Sequence, residues 1–253
     1  RKAEAELVKI RNAFEPPAEI GELCSNMLFA DYLLGWLEIV KVRVKPTTLG
    51  SYESMVKQTI GPYFWNKPIT LKDLEVRHVQ QFYSEKLRTV KPNSVIHYHA
   101  VIHQALKYAM KTDLVAQNVA MKVDRPKKND FQPVFLDAAE LQHLFEVVKG
   151  TKLELPVLVA AFYGLRRGEV LGLKWDAIDF ERGTLTTKRT VTSVNVGGKT
   201  QIIEQESAKT KSSMRTLPLV GRFKEYFAEV KAAQELNKQV CGNCYNYEYD
   251  GFV

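Results

Sequence analysis

Between Ala160 and Leu173 two adjacent arginines, Arg166 and Arg167, and one glutamate, Glu169, interrupt an otherwise apolar helical run. A buried guanidinium is costly unless it is paired. Either Glu169 matches an arginine there, or an arginine is held in place to grip an anion. The second reading is adopted, with Arg166 aimed at a phosphate.

The chain has 253 residues, 45% of them hydrophobic and 26% charged, enough apolar side chain for about two domains. No apolar run approaches the ~18 residues of a membrane span. The opening Arg1-Lys2-Ala3-Glu4 is charged, unlike a secretory signal, so the cytoplasm is the expected compartment. The net charge is +7 and lies mostly in the first half: residues 1–133 hold 20 Lys and Arg against 14 Asp and Glu, and residues 134–253 hold 16 against 15. A basic domain beside a nearly neutral one suits attraction to a polyanion such as DNA; a solvated surface of mild excess charge gives the same count.

Residues 1–23 read as a polar helix and linker, the tail of an upstream arm-binding region, broken at Pro16-Pro17. From Cys24, itself expected in the core, to residue 122, apolar positions recur at helical spacing between Gly, Pro and polar turns. Four helices are expected. The first spans about Met27–Val42, with Phe29, Leu33, Trp36, Leu37 and Val40 on one face. The second is capped by Thr47 or Thr48 and stops near Gly61-Pro62. The third covers Val76–Leu87. The fourth runs from Ser94 with Val95, Tyr98, Ile102, Ala105, Leu106 and Ala109 inward. Its opposite face carries His97, His99, His103, Gln104 and Lys107. His99 and His103 have metal-ligand spacing, but without a third ligand no metal is expected. Polar groups at helix starts after basic Pro turns (Thr47, Thr48, Asn93, Ser94, His97) fit DNA contact; each is equally at home on a solvated face.

Residues 123–133 are basic and proline-punctuated and read as an interdomain linker, with Arg125, Lys127 and Lys128 as candidate backbone contacts. The second domain, 134–253, opens with an Asp137/Glu140 capping box and the stripe Leu141, Leu144, Phe145, Val148. An apolar helix over Leu155–Phe162 leads into the arginine stretch. The period then changes to β. One strand covers about residues 184–194, a turn sits at Gly197-Gly198, a second strand covers Gln201–Gln205 and a third Met214–Leu219. The second and third flank the hydroxyl-rich loop Ser207–Ser213, which carries Lys209 and Lys211. An amphipathic helix from Gly221 to Gln239 follows. Cys241-Gly-Asn-Cys244 is half a zinc-site pattern without a second half, and reads as a reduced surface loop.

Gly164-Leu165-Arg166 followed by Glu169, Leu173, Trp175 and Asp179, with Lys209-Thr210 before Arg215-Thr-Leu-Pro218-Leu219, resembles the first-arginine and lysine motifs of the tyrosine recombinases, the phage and transposon integrases. The order of parts agrees over nearly the whole chain, and the Lys-Thr-Lys-Ser-Ser turn is most like integrases of conjugative transposons. The resemblance implies a mostly α fold with a small antiparallel sheet: a SAM-like four-helix core-binding domain, then an incomplete α+β catalytic domain. It implies site-specific DNA recombination through a 3′-phosphotyrosyl intermediate, without cofactor or metal, by four protomers on two duplexes. Arg166 would grip the scissile phosphate, Lys209 would protonate the leaving 5′ oxygen, and Glu169 would support the turn. Lys211 and Arg215 join the DNA-binding candidates, and Arg167 points elsewhere. The family continues with a His-x-x-Arg motif and a nucleophilic tyrosine. All five histidines here (His78, His97, His99, His103, His143) precede Arg166, and Tyr245, Tyr247 and Tyr249 match no family position. The sequence is therefore expected to stop partway through the catalytic domain and to be inactive alone. The alternatives are a non-enzymatic DNA-binding protein and a type IB topoisomerase.

Overall fold

The structure is a computed structural model and describes residues 23–206 and 214–253. The polar helix expected before Pro16-Pro17 and the loop with Lys209 and Lys211 lie outside the described residues. The chain falls into two compact units, one running to Gln132 and including Asn195–Lys199, the other made of residues 133–194 and 200–253.

The first unit is helical. Helix α1 (Phe29–Lys41) buries Phe29, Leu33, Trp36 and Leu37 of the stripe its spacing predicts and leaves Val40 half-buried. It faces α5 (Pro92–Lys111), whose Val95, Ile102, Ala105, Leu106 and Ala109 are buried, and the Tyr32 hydroxyl donates to the Ala105 carbonyl at 2.6 Å. Helix α4 (Val76–Lys86) adds Val79, Phe82 and Tyr83 to the same core.

Helix α2 (Pro46–Met55) departs from expectation at both ends. Its N-cap is Lys45 with Pro46 in the first turn, and neither Thr47 nor Thr48 caps it; proline's fixed φ already suits that position. Nor does Gly61-Pro62 stop it. The chain passes through a π turn (Val56–Ile60) into α3 (Gly61–Asn66). Shifting the hydrogen-bond register puts Pro62 in the first turn of a new segment, where its missing N–H has no partner to lose. Gly61 is needed there, because a Cβ would come within 2.7 Å of the Trp65 ring and 2.8 Å of the Val56 carbonyl.

Two further expectations are corrected. Cys24 is exposed rather than core. His99 is not on the solvated face of α5. It is 8% exposed, and its Nδ1 lies 2.8 Å from the Tyr83 hydroxyl, which satisfies the ring in the core. His103 stacks on it at 5.8 Å between centroids.

In the second unit, α6 (Ala138–Val148) has the expected capping box: the Glu140 amide donates to Asp137 Oδ1 at 2.8 Å and the Asp137 amide to Glu140 Oε2 at 2.9 Å. Helix α7 (Glu154–Tyr163) follows. The core gathers Val159, Leu165, Leu173, Ile178 and Leu185 against Phe223 and Phe227 of α9 (Phe223–Cys241).

The strands are arranged differently from the single sheet expected. β1 (Ile178–Asp179), β2 (Thr184–Thr186) and β5 (Thr216–Pro218) form one antiparallel sheet with Leu185 opposite both Ile178 and Leu217. β3 (Arg189–Val196) and β4 (Lys199–Glu206) form a separate ribbon, turned by Gly197 and Gly198 at φ 60° and 78°. The reason is burial. β4 is polar and mostly exposed, whereas Leu185 and Leu217 supply apolar side chains, so the third expected strand pairs with the buried β2.

Burial of His99, followed by the charges of Arg125 and His103, depresses its pKa from 6.5 to about 4. A histidine held below its unfolded value loses stability as pH falls, because the unfolded chain takes up the proton first. Between pH 6.5 and 4 the first unit should lose roughly 2–3 kcal/mol through this group. Denaturant unfolding at pH 7 and at pH 4.5 should show that loss in the wild type, and the His99→Gln variant should show a smaller one.

Candidate active site

The arginine stretch is not one continuous helix. Helix α7 ends at Gly164, whose φ of 60° is left-handed and favours glycine. Leu165 is buried, Arg166 is extended, and a short helix α8 (Arg167–Leu171) begins after it. The buried charge is therefore not an arginine. It is Glu169, 4% exposed, on the inner face of α8.

Glu169 accepts from both sides. The Arg166 amide donates to its Oε2 at 2.9 Å and Arg166 Nη1 to its Oε1 at 3.0 Å. Arg215, just before β5, donates Nη2 to Oε2 at 2.9 Å and Nη1 to Oε1 at 3.3 Å, a bidentate fork. Burial pushes this carboxyl upward, but the Arg215 fork and the Arg166 amide and guanidinium outweigh it and hold the group below the ordinary carboxylate value.

Arg215 is fixed in turn by the strand ladder. Its amide donates to Thr187 Oγ1 at 3.2 Å and its carbonyl accepts from the Thr187 amide at 3.0 Å, with Thr187 3% exposed. Gly172, the C-cap of α8, allows a close approach to β3: a Cβ there would come within 2.8 Å of the Arg189 carbonyl. The motif's outlying residues anchor the turn. Leu173 is in the core, Trp175 Nε1 donates to Gln234 Oε1 at 2.9 Å, and Asp179 accepts from the Arg182 amide at 2.8 Å.

Two guanidiniums and one carboxylate leave one positive charge in excess, and it sits outward. The Arg166 side chain is 79% exposed, against 31% for Arg215. Among the described residues the only side-chain partner of Arg166 is Glu169, through one of five N–H donors. The exposed fork suits a phosphate oxygen. Arg167 is exposed on another face of α8.

The remaining candidates lie elsewhere. Thr47 and Thr48 are in the first turn of α2, and Asn93, Ser94 and His97 begin α5; both helices follow a Lys-Pro step. Arg125, Lys127 and Lys128 are exposed beyond α5. Among the described residues no group of three His, Cys, Asp or Glu could hold a metal ion, and no helix is long and apolar enough to cross a membrane. The role of Thr187 escapes sequence reading, because only the pairing of β2 with β5 brings it to Arg215. Thr187 follows β2 as Arg215 precedes β5.

Glu169 is buried and Arg166 is not, so the two arginines should differ in their effect on stability. Arg215→Ala leaves the carboxylate without its fork and should cost about 2–3 kcal/mol; Arg166→Ala should cost under about 1 kcal/mol. Denaturation midpoints of the two variants check this order.

Residues 28–87 match the family model of the phage integrase N-terminal SAM-like domain. A curated relative, the XerC-like tyrosine recombinase of Caldanaerobacter subterraneus subsp. tengcongensis, is 27% identical over 239 residues, covering 87% of this chain and 60% of that protein. The chain thus spans about three-fifths of that relative's length. Among solved structures, the Tn1549 transposon integrase in complex with a circular intermediate DNA matches with a TM-score of 0.63 at 18% identity, over 90% of this chain and 70% of that one. A lambda integrase tetramer bound to a Holliday junction matches with a TM-score of 0.58 at 18% identity, over 91% and 65%. At these identities the structural likenesses show a common fold. The curated alignment is longer than either unit and must run through both, and the family model matches within the first alone; over both units the chain is similar to tyrosine recombinases.

Proposed function

We propose that this chain is the DNA-engaging part of a site-specific recombinase of a mobile element, which cuts and rejoins strands through a 3′-phosphotyrosyl intermediate. The observation that carries this reading is the outward guanidinium of Arg166, fixed on a buried carboxylate and left with donors to spare. In the proposed reaction Arg166 neutralises charge that builds on the non-bridging oxygens as the phosphate is attacked, and keeps its own proton throughout. Lys209 serves as the general acid for the leaving 5′ oxygen, a role open to an amine and closed to a guanidinium. Glu169 and Arg215 position Arg166. The covalent phosphotyrosine conserves the energy of the broken backbone bond, so neither ATP nor metal is required.

The basic first half, the helix starts at Thr47–Thr48 and Asn93–His97, and the cations Arg125, Lys127, Lys128 and Lys211 supply backbone attraction. The core-binding domain is assigned to residues 24–122, the linker to 123–133 and the catalytic portion to 134–253. The working assembly is a homotetramer on two duplexes, by analogy with the lambda integrase tetramer on its junction, and its place is the cytoplasm, on mobile-element DNA.

No His-x-x-Arg occurs within these 253 residues. Residues 1–253 should therefore bind duplex DNA with affinity that falls steeply as salt rises, and should leave no covalent adduct after denaturing electrophoresis. In a protein that carries the remaining motifs, Arg166→Ala should keep DNA binding within a few-fold and lose cleavage by about a hundredfold or more. Adducts from residues 1–253 alone, or unchanged cleavage by the Arg166→Ala protein, would contradict the proposal.

A further inference from the structure

In the first unit, the chain beyond α5 is fastened step by step. Asn118 caps the short 3-10 turn Val119–Lys122 by accepting from the Ala120 amide at 3.0 Å, and its Nδ2 donates to the His103 carbonyl at 3.0 Å. Val119, Ala120 and Val123 are buried. The next residue, Asp124, is gripped through its backbone by one side chain of α4. Its amide donates to Gln80 Oε1 at 3.0 Å, and its carbonyl accepts from Gln80 Nε2 at 3.4 Å. A primary amide presents a donor and an acceptor side by side, so it meets a peptide's carbonyl and N–H together, as a neighbouring strand would.

The residue after this clamp is Arg125. Among the described residues it forms no ion pair and its side chain no hydrogen bond, and it is exposed. Its charge is felt at both Tyr83 and His99, and burial keeps His99 neutral at physiological pH. From Asp124 through Leu136, Pro126 alone is not exposed. The tie thus sits where the chain leaves the helices for the exposed stretch that follows.

We infer that Gln80 is a positioning residue: by clamping the Asp124 backbone it holds Arg125 at a fixed place on the first unit, as a preformed contact for a DNA backbone phosphate. The inference rests on the DNA-binding reading above. Without the clamp, Arg125 would belong to the tether and would have to be ordered anew on each binding event, at an entropic cost. Gln80 itself need not touch DNA.

The test compares wild type, Gln80→Leu, Arg125→Ala and the double variant in residues 1–253, binding a 30-base-pair duplex of mixed sequence over a salt series. Arg125→Ala should weaken binding about fivefold and reduce the salt slope by about one. Gln80→Leu should weaken it about threefold in the wild-type background and have no further effect in the Arg125→Ala background. Hydrogen exchange should show the Asp124 amide protected in wild type and released in Gln80→Leu, while the amides of α5 keep their protection. If Arg125→Ala weakens binding and Gln80→Leu does not, or if Gln80→Leu weakens both backgrounds equally, the positioning role is overturned and the DNA reading stands. If Arg125→Ala binds as wild type while the chain still binds DNA, the contact itself is wrong and the inference falls with it. If no variant and no wild type binds DNA, the functional reading has failed first.

Discussion

A carboxylate placed where water cannot reach it must be matched, and Glu169 is matched twice. The requirement links elements far apart in the chain: the Arg166 amide at the start of α8, its guanidinium beyond, and Arg215 at the start of β5. Each link has a further support. Thr187 holds the Arg215 backbone, and the bare Cα of Gly172 lets α8 lie against β3. An unmatched carboxylate there would cost several kcal/mol. The surrounding packing and the ion pairs therefore depend on one another.

Arg215 spends both Nη groups on the carboxylate, whereas Arg166 spends one and turns the remainder outward. A fork anchored at its base loses little freedom when it meets a phosphate, which is the physical meaning of preorganisation at such a site. The first unit shows the same economy on a smaller scale, where a backbone clamp by Gln80 precedes Arg125, which has no ion pair among the described residues.

Much of this was legible in the sequence, and the misses share a cause. The buried stripes of α1 and α5, the Asp137–Glu140 capping box and the Gly197-Gly198 turn follow from local rules of period and turn chemistry, and the structure has them. The Gly164-Leu-Arg166 pattern pointed to the turn that the structure builds around Glu169. What local rules could not supply was the choice of partner. Only folding reveals that Glu169 turns inward and Arg166 outward, so the pattern alone suggests a buried arginine. Apolar burial of Leu185 and Leu217 decides the pairing of β5 with β2 rather than with the ribbon, across more than 30 residues of chain. A lone histidine on a helix gives no hint that a Tyr83 hydroxyl meets His99 in the core. A π turn leaves no mark in the pattern, so Gly61-Pro62 has the look of a stop. The tie of Arg215 to Glu169, 46 residues away in sequence, leaves no local mark either.

The central claim is that Glu169 holds two arginines in different states, one locked and one presented. It is tested most directly by observing the two guanidiniums separately, through the arginine Nε–Hε resonances of residues 1–253 titrated with duplex DNA. The account predicts that the Arg166 resonance shifts on binding while that of Arg215 keeps its free-state position. A shift at Arg215 with none at Arg166 would contradict it.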